Sequence, residues 1–503
     1  MIFMNANGNL IINKLNEKSL GKTYWIITIL ATLGGFLFGY DTSNIGSAMP
    51  FMPFYSFIVK NGFIEGYLVA GASLGAAVGA LIAAFSTEKL GRKGLLIFDA
   101  GIYAVGAIGS ALSYTVFEIL IFRTFIGIAV GADSAIATSY IAEFAPKNKR
   151  GHLTVMQQMM IVIGILSAFI IGMAVYAIAP ALAYSLGWRL LLGIAAVPAL
   201  IGLGFRLYMP ESPRWLILHE KYDRAIKSLK KFGIDATLNQ LKNARAYLIS
   251  LTKDIKTTRA GVKRALIVAG LFAAFTQITG INVPLYYGPI LIDSLHLFPS
   301  ITNPVMSMVY SIAASAILAS LLVISTYIGL TKMDSFGRRH LALLGFGGMV
   351  FSFFLGMILY IMHIIVGILI GLGSFLIFFG FGVGANVWVL QSEYFPAKNK
   401  GFYVSLIAAI DWISNFVIIE LFPVIDDKIG IGYTMGIFGI LSAIAFVTVY
   451  KIMPFTKGQS IEDVAKCFSE NSLSKIVMES KYLLSNNTQP IDGKNFIESE
   501  DDR

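Results

Sequence analysis

Twelve runs of apolar residues divide the chain, near 25–46, 63–85, 94–114, 116–140, 154–178 and 187–208, then near 264–290, 303–330, 340–361, 363–390, 401–425 and 432–453. Each is long enough to cross a hydrocarbon core, which takes ~20 helical residues. Six runs precede one long polar gap and six follow it. The pattern predicts an all-α membrane protein, with twelve transmembrane helices in two pseudo-symmetric six-helix bundles. Its expected parts are an N-terminal segment (1–24), a first bundle (25–209), a central loop with helices of its own (210–263), a second bundle (264–454) and a tail (455–503). The first run is too long for a cleaved signal peptide and lacks its small-residue exit, so it is expected to stay as the first span.

Composition agrees: 56% of the 503 residues are hydrophobic, 14% are charged, and the mean hydropathy is +0.72. Lipid, not water, is the expected solvent. The net charge of +10 is informative by position. Lys and Arg sit in the short gaps, and in alternate ones: Lys89, Arg92 and Lys93, then Lys147, Lys149 and Arg150, then the central loop, then Lys332, Arg338 and Arg339, then Lys398 and Lys400. That is the positive-inside pattern, so both termini are expected on the cytoplasmic side of a cell membrane. No basic face on a soluble domain is offered to a nucleic acid. A single cysteine, Cys467, excludes an intrachain disulfide, and five scattered histidines lack metal-ligand spacing. No metal, cofactor or enzymatic activity is expected.

The halves are copies of one another. Glu88-Lys89-Leu90-Gly91-Arg92-Lys93 recurs 246 residues later as Asp334-Ser335-Phe336-Gly337-Arg338-Arg339. Glu143-Phe144-Ala145-Pro146 with Arg150-Gly151 recurs 250 residues later as Glu393-Tyr394-Phe395-Pro396 with Lys400-Gly401. Duplicated halves around a midplane site are how many secondary transporters alternate access. The acids and bases of these motifs (Glu88, Arg92, Glu143, Arg150, Asp334, Arg338, Glu393, Lys400) can pair at the cytoplasmic helix ends as a gate; plain positive-inside anchoring is the other reading. Gly380, Gly382 and Gly384 alternate inside an apolar run, which points to close helix packing and not to a nucleotide loop.

Asp41 is an ionisable residue inside the first run, where a carboxylate is expensive and calls for a partner. If the first span runs outward and the fourth inward, a rise of ~1.5 Å per residue puts Asp41 and Arg123 at a common depth. Protonating Asp41 would loosen that pair, the differential interaction that proton coupling needs; a permanent structural salt bridge is the alternative.

The chain resembles the sugar porter family of the major facilitator superfamily from about residue 30 to residue 464. The resemblance rests on Gly39-Tyr40-Asp41, the motif at 88–93, Arg123 with Gly127 and Gly131, and Glu143 to Gly151. It continues in Pro210-Glu211-Ser212-Pro213-Arg214-Trp215-Leu216, Gln277-Ile278-Thr279-Gly280-Ile281-Asn282 with Tyr286-Tyr287, Trp388 to Pro396, and Gly458 to Val464. It implies a central cavity with substrate held mainly by the second half. Gln158, Gln277, Asn282, Tyr286, Trp388 and Asn415 are the implied sugar contacts, Asp411 a further substrate-binding position, and Tyr287 an outer gate. Amides both donate to and accept from hydroxyls, and an indole covers the C–H face of a sugar ring; interhelical hydrogen bonding is the alternative use of such amides. An acid at the position of Asp41 is the pattern of the family's proton-coupled members.

Some positions depart from the family. Asp411 stands where Asn or Gln is usual, and Asp133, a possible extra acid, where a small neutral residue is. Asp133 lies ten residues before Glu143, as in phosphate/proton symporters of the same superfamily. Thr276, Leu322 and Ala385-Asn386 offer fewer hydroxyl contacts, and Ser335, Lys400 and Phe455 a weaker latch. The expected function is secondary active transport, proton-coupled symport of a sugar or polyol by a monomer in the lipid bilayer. A proton-linked carrier of an organic ion or phosphate is the alternative, and a membrane nutrient sensor, which would carry a long signalling extension, the alternative of another class.

Overall fold

The structure is a computed structural model; it describes residues 10–15, 21–145, 150–254, 258–297, 300–395, 400–457, 464, 467–469 and 476–477. Among these are twelve helices long and apolar enough to cross a membrane: α1 Tyr24–Phe51, α2 Gly62–Leu90, α3 Arg92–Leu112, α4 Val116–Ile141, α5 Val155–Ile178, α6 Pro180–Tyr208, α7 Arg259–Ile278, α8 Pro304–Met333, α9 Arg338–Ile361, α10 Val366–Gln391, α11 Gly401–Ile429 and α12 Ile431–Ile452. No strand occurs among the described residues. Large apolar side chains such as Phe85, Ile178, Ile317 and Tyr450 stand exposed on the outer surface, as lipid-facing residues must.

Within the first half α1 packs on α5, α2 on α4, and α3 on α4 and α6; within the second, α7 packs on α11 and α9 on α10 and α12. The halves meet where α2 lies against α11 and α5 against α8. Small residues let the backbones approach. A Cβ on Gly127 or Gly131 of α4 would run into the carbonyl oxygens of Ala72 and Ala76 of α2, and one on Gly75 or Gly79 of α2 into those of Thr124 and Ile128 of α4. This is the small-residue packing by which helices associate in lipid. The glycine run of α10 works likewise: Gly382 lies against the Leu341 carbonyl and Gly345 of α9, and Gly380 against Ser325 and Thr326 of α8.

The duplicated loop motif is also duplicated in conformation. Gly91 and Gly337 hold φ of +81° and +82°, a region costly for any other residue, and each ends one helix and starts the next. In the first half the turn is held from outside: Glu211 accepts from the backbone N–H of Arg92 (3.0 Å) and Lys93 (3.2 Å), the free donors at the start of α3. Burial pushes the Glu211 carboxyl up, against the downward pull of those N–H groups. Trp215 Nε1 donates to the Glu88 carbonyl at 3.2 Å, so the motif at 210–216 clamps the end of α2. Between the halves lie helices Pro213–Leu218, Tyr222–Lys231 and Leu238–Asp254.

Three spans differ from the apolar pattern. The seventh, expected to run unbroken to about residue 290, ends at Ile278; the chain turns at Gly280 (φ +83°) and resumes as Asn282–Tyr286 and Gly288–Ser294. The sixth begins earlier, through a π-helical segment at Ala183–Gly187. The tenth is loosened by a second π segment, Phe379–Val383, just before Trp388. Hydropathy averaged over a whole span does not register such breaks, because each is flanked by long apolar stretches.

Candidate functional site

A small cavity lined by residues of both halves lies between them. The first half lines it mainly with apolar groups, Phe38 of α1 and Ile161 and Ile165 of α5, plus the amide of Gln158. The second half supplies Thr276 and Gln277 of α7, Ile281, Asn282 and Leu285 beyond the Gly280 turn, Leu322, Phe379, Val387, Trp388, Asp411 and Trp412. The turn at Gly280 brings Asn282 onto the same wall as Gln277, which a straight helix of that length would not do as closely.

The polar wall groups are already joined. Asn282 Nδ2 donates to Gln277 Oε1 at 2.8 Å, and Gln277 Nε2 donates to both oxygens of Asp411 at 3.0 Å. Across the divide, Trp388 Nε1 donates to Gln158 Oε1 at 2.9 Å, which ties α10 to α5. Trp412 meets Phe38 edge-on at 4.7 Å and donates to Ser134 Oγ at 3.2 Å. Asp411 is the one ionisable residue in the lining, and no Lys, Arg or His is found there. The wall can therefore exchange hydrogen bonds with hydroxyls and stack an apolar ring face, but it offers no positive charge to an anion.

Tyr286 and Asn415 lie off this wall. Asn415 Nδ2 donates to Ser73 Oγ of α2 at 3.1 Å, and the buried Tyr286 lies near Ser73 and Thr42. They form a second polar cluster across the halves, next to the pair expected between Asp41 and Arg123. That pair is present: Arg123 Nη1 donates to Asp41 Oδ1 at 3.1 Å, with side chains 0% and 4% exposed. Arg123 Nη2 donates to the Val69 carbonyl at 3.2 Å.

Asp133 is not in the cavity lining. It accepts from Arg206 Nη2 of α6 at 2.7 Å, and Arg206 also pairs with Asp99 of α3. Neither Arg206 nor Asp99 was singled out from the sequence, although each is a charge inside an apolar run and the rule that flagged Asp41 applies equally to them.

At the end of the bundle that carries the basic connections, Arg92 bonds Glu88 (3.0 Å) and Glu143 (2.8 Å), and Arg338 bonds Glu393 (3.0 Å). These pairs each tie helices within one half. The side chains of Arg150, Asp334 and Lys400 lie outside the described residues. At the other end Tyr287 packs against Phe422 at 5.1 Å, and its hydroxyl donates to the Ile419 carbonyl at 3.4 Å, holding α11 against the segment beyond α7. Among the described residues no three His, Cys, Asp or Glu are grouped so as to hold a metal ion.

The chain is similar to the glucose transporter GlcP of Staphylococcus epidermidis, with 32% identity over 88% of this chain and 96% of that one. It is 31% identical to the arabinose-proton symporter of Bacillus subtilis, over 88% and 94% of the two chains. Its fold matches the proton:xylose symporter XylE of E. coli bound to 6-bromo-6-deoxy-D-glucose, with a TM-score of 0.75 and 26% identity over 88% of this chain and 99% of that one. The model of the sugar (and other) transporter family matches residues 27–468. With its duplicated motifs, twelve spans and cavity between the halves, this chain belongs to the sugar (and other) transporter family, a family of membrane transporters and not of enzymes.

Proposed function

We propose that the chain is a proton-coupled symporter of a sugar or polyol that works by alternating access. The observation that carries the reading is a cavity walled by amides and an indole, bridged from half to half, beside a buried Asp–Arg pair. Gln158, Gln277, Asn282, Trp388 and Asp411 bind the substrate by exchanging their present mutual hydrogen bonds for bonds to its hydroxyls. Tyr286 and Asn415 act beside them, joining the substrate side of the interface to the cluster around Asp41.

Asp41 carries the proton and Arg123 opposes it. With both side chains dry, protonating the carboxylate would strand the guanidinium, so loading needs water at the pair and hence an opened half-interface. That requirement ties proton movement to rocking of the halves. The basic end faces the cytoplasm, with both termini there; the charged cluster of Glu88, Arg92, Glu143, Arg150, Asp334, Arg338, Glu393 and Lys400 gates it, its described pairs bracing the helix ends of each half, and Tyr287 gates the other end. The protein acts as a monomer in the lipid bilayer, its bundles at 25–209 and 264–454 moving about the central loop.

A second reading, transport of a cationic solute, is favoured by one observation: the sole charge on the cavity wall is the carboxylate of Asp411. Phosphate is disfavoured by the same wall. The test is uptake into proteoliposomes of labelled glucose, xylose, galactose, a polyol, a small organic cation and phosphate, with and without an inward proton gradient. Gradient-stimulated sugar or polyol uptake supports the proposal. Uptake of the cation alone would replace it with the second reading, and uptake of phosphate alone would refute both.

A further inference from the structure

Apart from Asp41 and Arg123, the first half contains a second group of membrane-embedded charges. Arg206 of α6 lies between Asp99 of α3 and Asp133 of α4, and these side chains are at most 3% exposed. Two carboxylates against one guanidinium leave one uncompensated negative charge in a region where unpaired charge is costly. Among the described residues no second positive charge meets the carboxylates: α1 contributes the carbonyls of Leu30 and Ala31 and the backbone of Gly34, and α5 contributes Gln157.

The donors can be counted. A guanidinium has five N–H groups. Arg206 Nε donates to the Leu30 carbonyl (3.2 Å), Nη1 to the Leu96 carbonyl (2.6 Å) and to Asp99 Oδ1, and Nη2 to the Ala31 carbonyl (3.4 Å) and to Asp133 Oδ1 (2.7 Å). All five are spent. Asp99 Oδ2 and Asp133 Oδ2 are buried with no donor, although the two carboxylates lie within hydrogen-bonding reach of one another. A third acceptor in the same place, Oε1 of the buried Gln157, also lacks a donor while its side chain reaches Asp133. Two facing acceptors without a hydrogen between them repel; one proton turns the contact into a hydrogen bond and makes the triad neutral.

We propose that Asp99 and Asp133 together form a second proton-binding site, holding one proton between them against Arg206 in the resting protein at neutral pH. The site is separate from Asp41 and does not depend on the identity of the transported solute. It has a route to the cavity by adjacency: Gln157 faces the triad, and Gln158, the next residue of α5, receives the Trp388 bond in the cavity.

The test is infrared spectroscopy of the purified full chain in lipid at neutral pH, with aspartate labelled at the carboxyl carbon to identify aspartic-acid C=O bands. The expected result is one protonated-aspartate band that is lost in Asp99→Asn and lost in Asp133→Asn, because either remaining carboxylate then pairs with Arg206 as an anion. The same band persists in Asp41→Asn. Asparagine mimics the neutral acid, so both variants are expected to fold. Should either not fold, Asp99→Glu keeps the site and moves part of the label-sensitive band to an unlabelled glutamic acid. A spectrum in which no aspartic-acid band responds to these substitutions would mean that both carboxylates are ionised, and would overturn the proposal.

Discussion

Replacing Asp41 by leucine would strip Arg123 of its counter-charge in a place where neither side chain meets solvent. Their exposures are 4% and 0%, and the only other described acceptor of the guanidinium is the Val69 carbonyl at 3.2 Å. Breaking a buried pair by removing one partner costs ~3–5 kcal/mol, whereas replacing both partners with apolar groups is often neutral. Asp41→Leu and Arg123→Leu are each expected to fall in that range, and the double variant within about 1–2 kcal/mol of the parent, a coupling of ~4 kcal/mol or more. The assay is thermal unfolding of the four proteins in one detergent, read as the order of their apparent midpoints, with size exclusion to confirm a folded monodisperse sample. The double variant should melt above both single variants. If its loss is instead the sum of the two single losses, the pair is not a coupled unit and the reasoning fails.

Further predictions follow from the packing and the cavity wall. Gly131→Val would drive a branched side chain into the Ala76 carbonyl of α2 and should abolish folded, membrane-inserted protein, seen as loss of the monodisperse peak. Gln277→Leu removes the one described donor to Asp411 and the amide that would bond substrate hydroxyls; at ~1 kcal/mol or more per lost hydrogen bond, substrate affinity should fall by roughly tenfold in equilibrium binding. Glu211→Ala frees the N–H groups at the start of α3 and should lower stability by ~1–2 kcal/mol, measured as a fall in melting midpoint with transport selectivity unchanged.

How much was legible in the sequence depends on the range of the interaction. Spans are written in local runs of apolar residues, and all twelve could be placed, as could the duplicated loop, whose Gly91 and Gly337 share a backbone conformation. The Asp41–Arg123 pair followed from depth along two antiparallel helices. The breaks at Gly280 and at Phe379–Val383 could not be read from hydropathy averaged over a span, and their local signal is glycine, Gly280 in the first and Gly380 with Gly382 in the second. They help decide which side chains face the cavity: beyond the Gly280 turn Asn282 lies on the wall and Tyr286 off it. The partners of Asp133 escaped for a different reason: Asp99 and Arg206 sit inside runs whose average hydropathy hides an isolated charge, and α6, which carries Arg206, is remote in sequence from α3 and α4.

The most direct test of the proposed coupling is Asp41→Asn, which keeps the shape and an acceptor for Arg123 but cannot bind the transported proton. In proteoliposomes loaded with substrate, sugar exchange across a membrane without a gradient needs only alternating access; accumulation against a concentration difference needs the proton. The account predicts that Asp41→Asn retains exchange and loses gradient-driven accumulation. Accumulation that persists in this variant would contradict it and move the coupling to another residue.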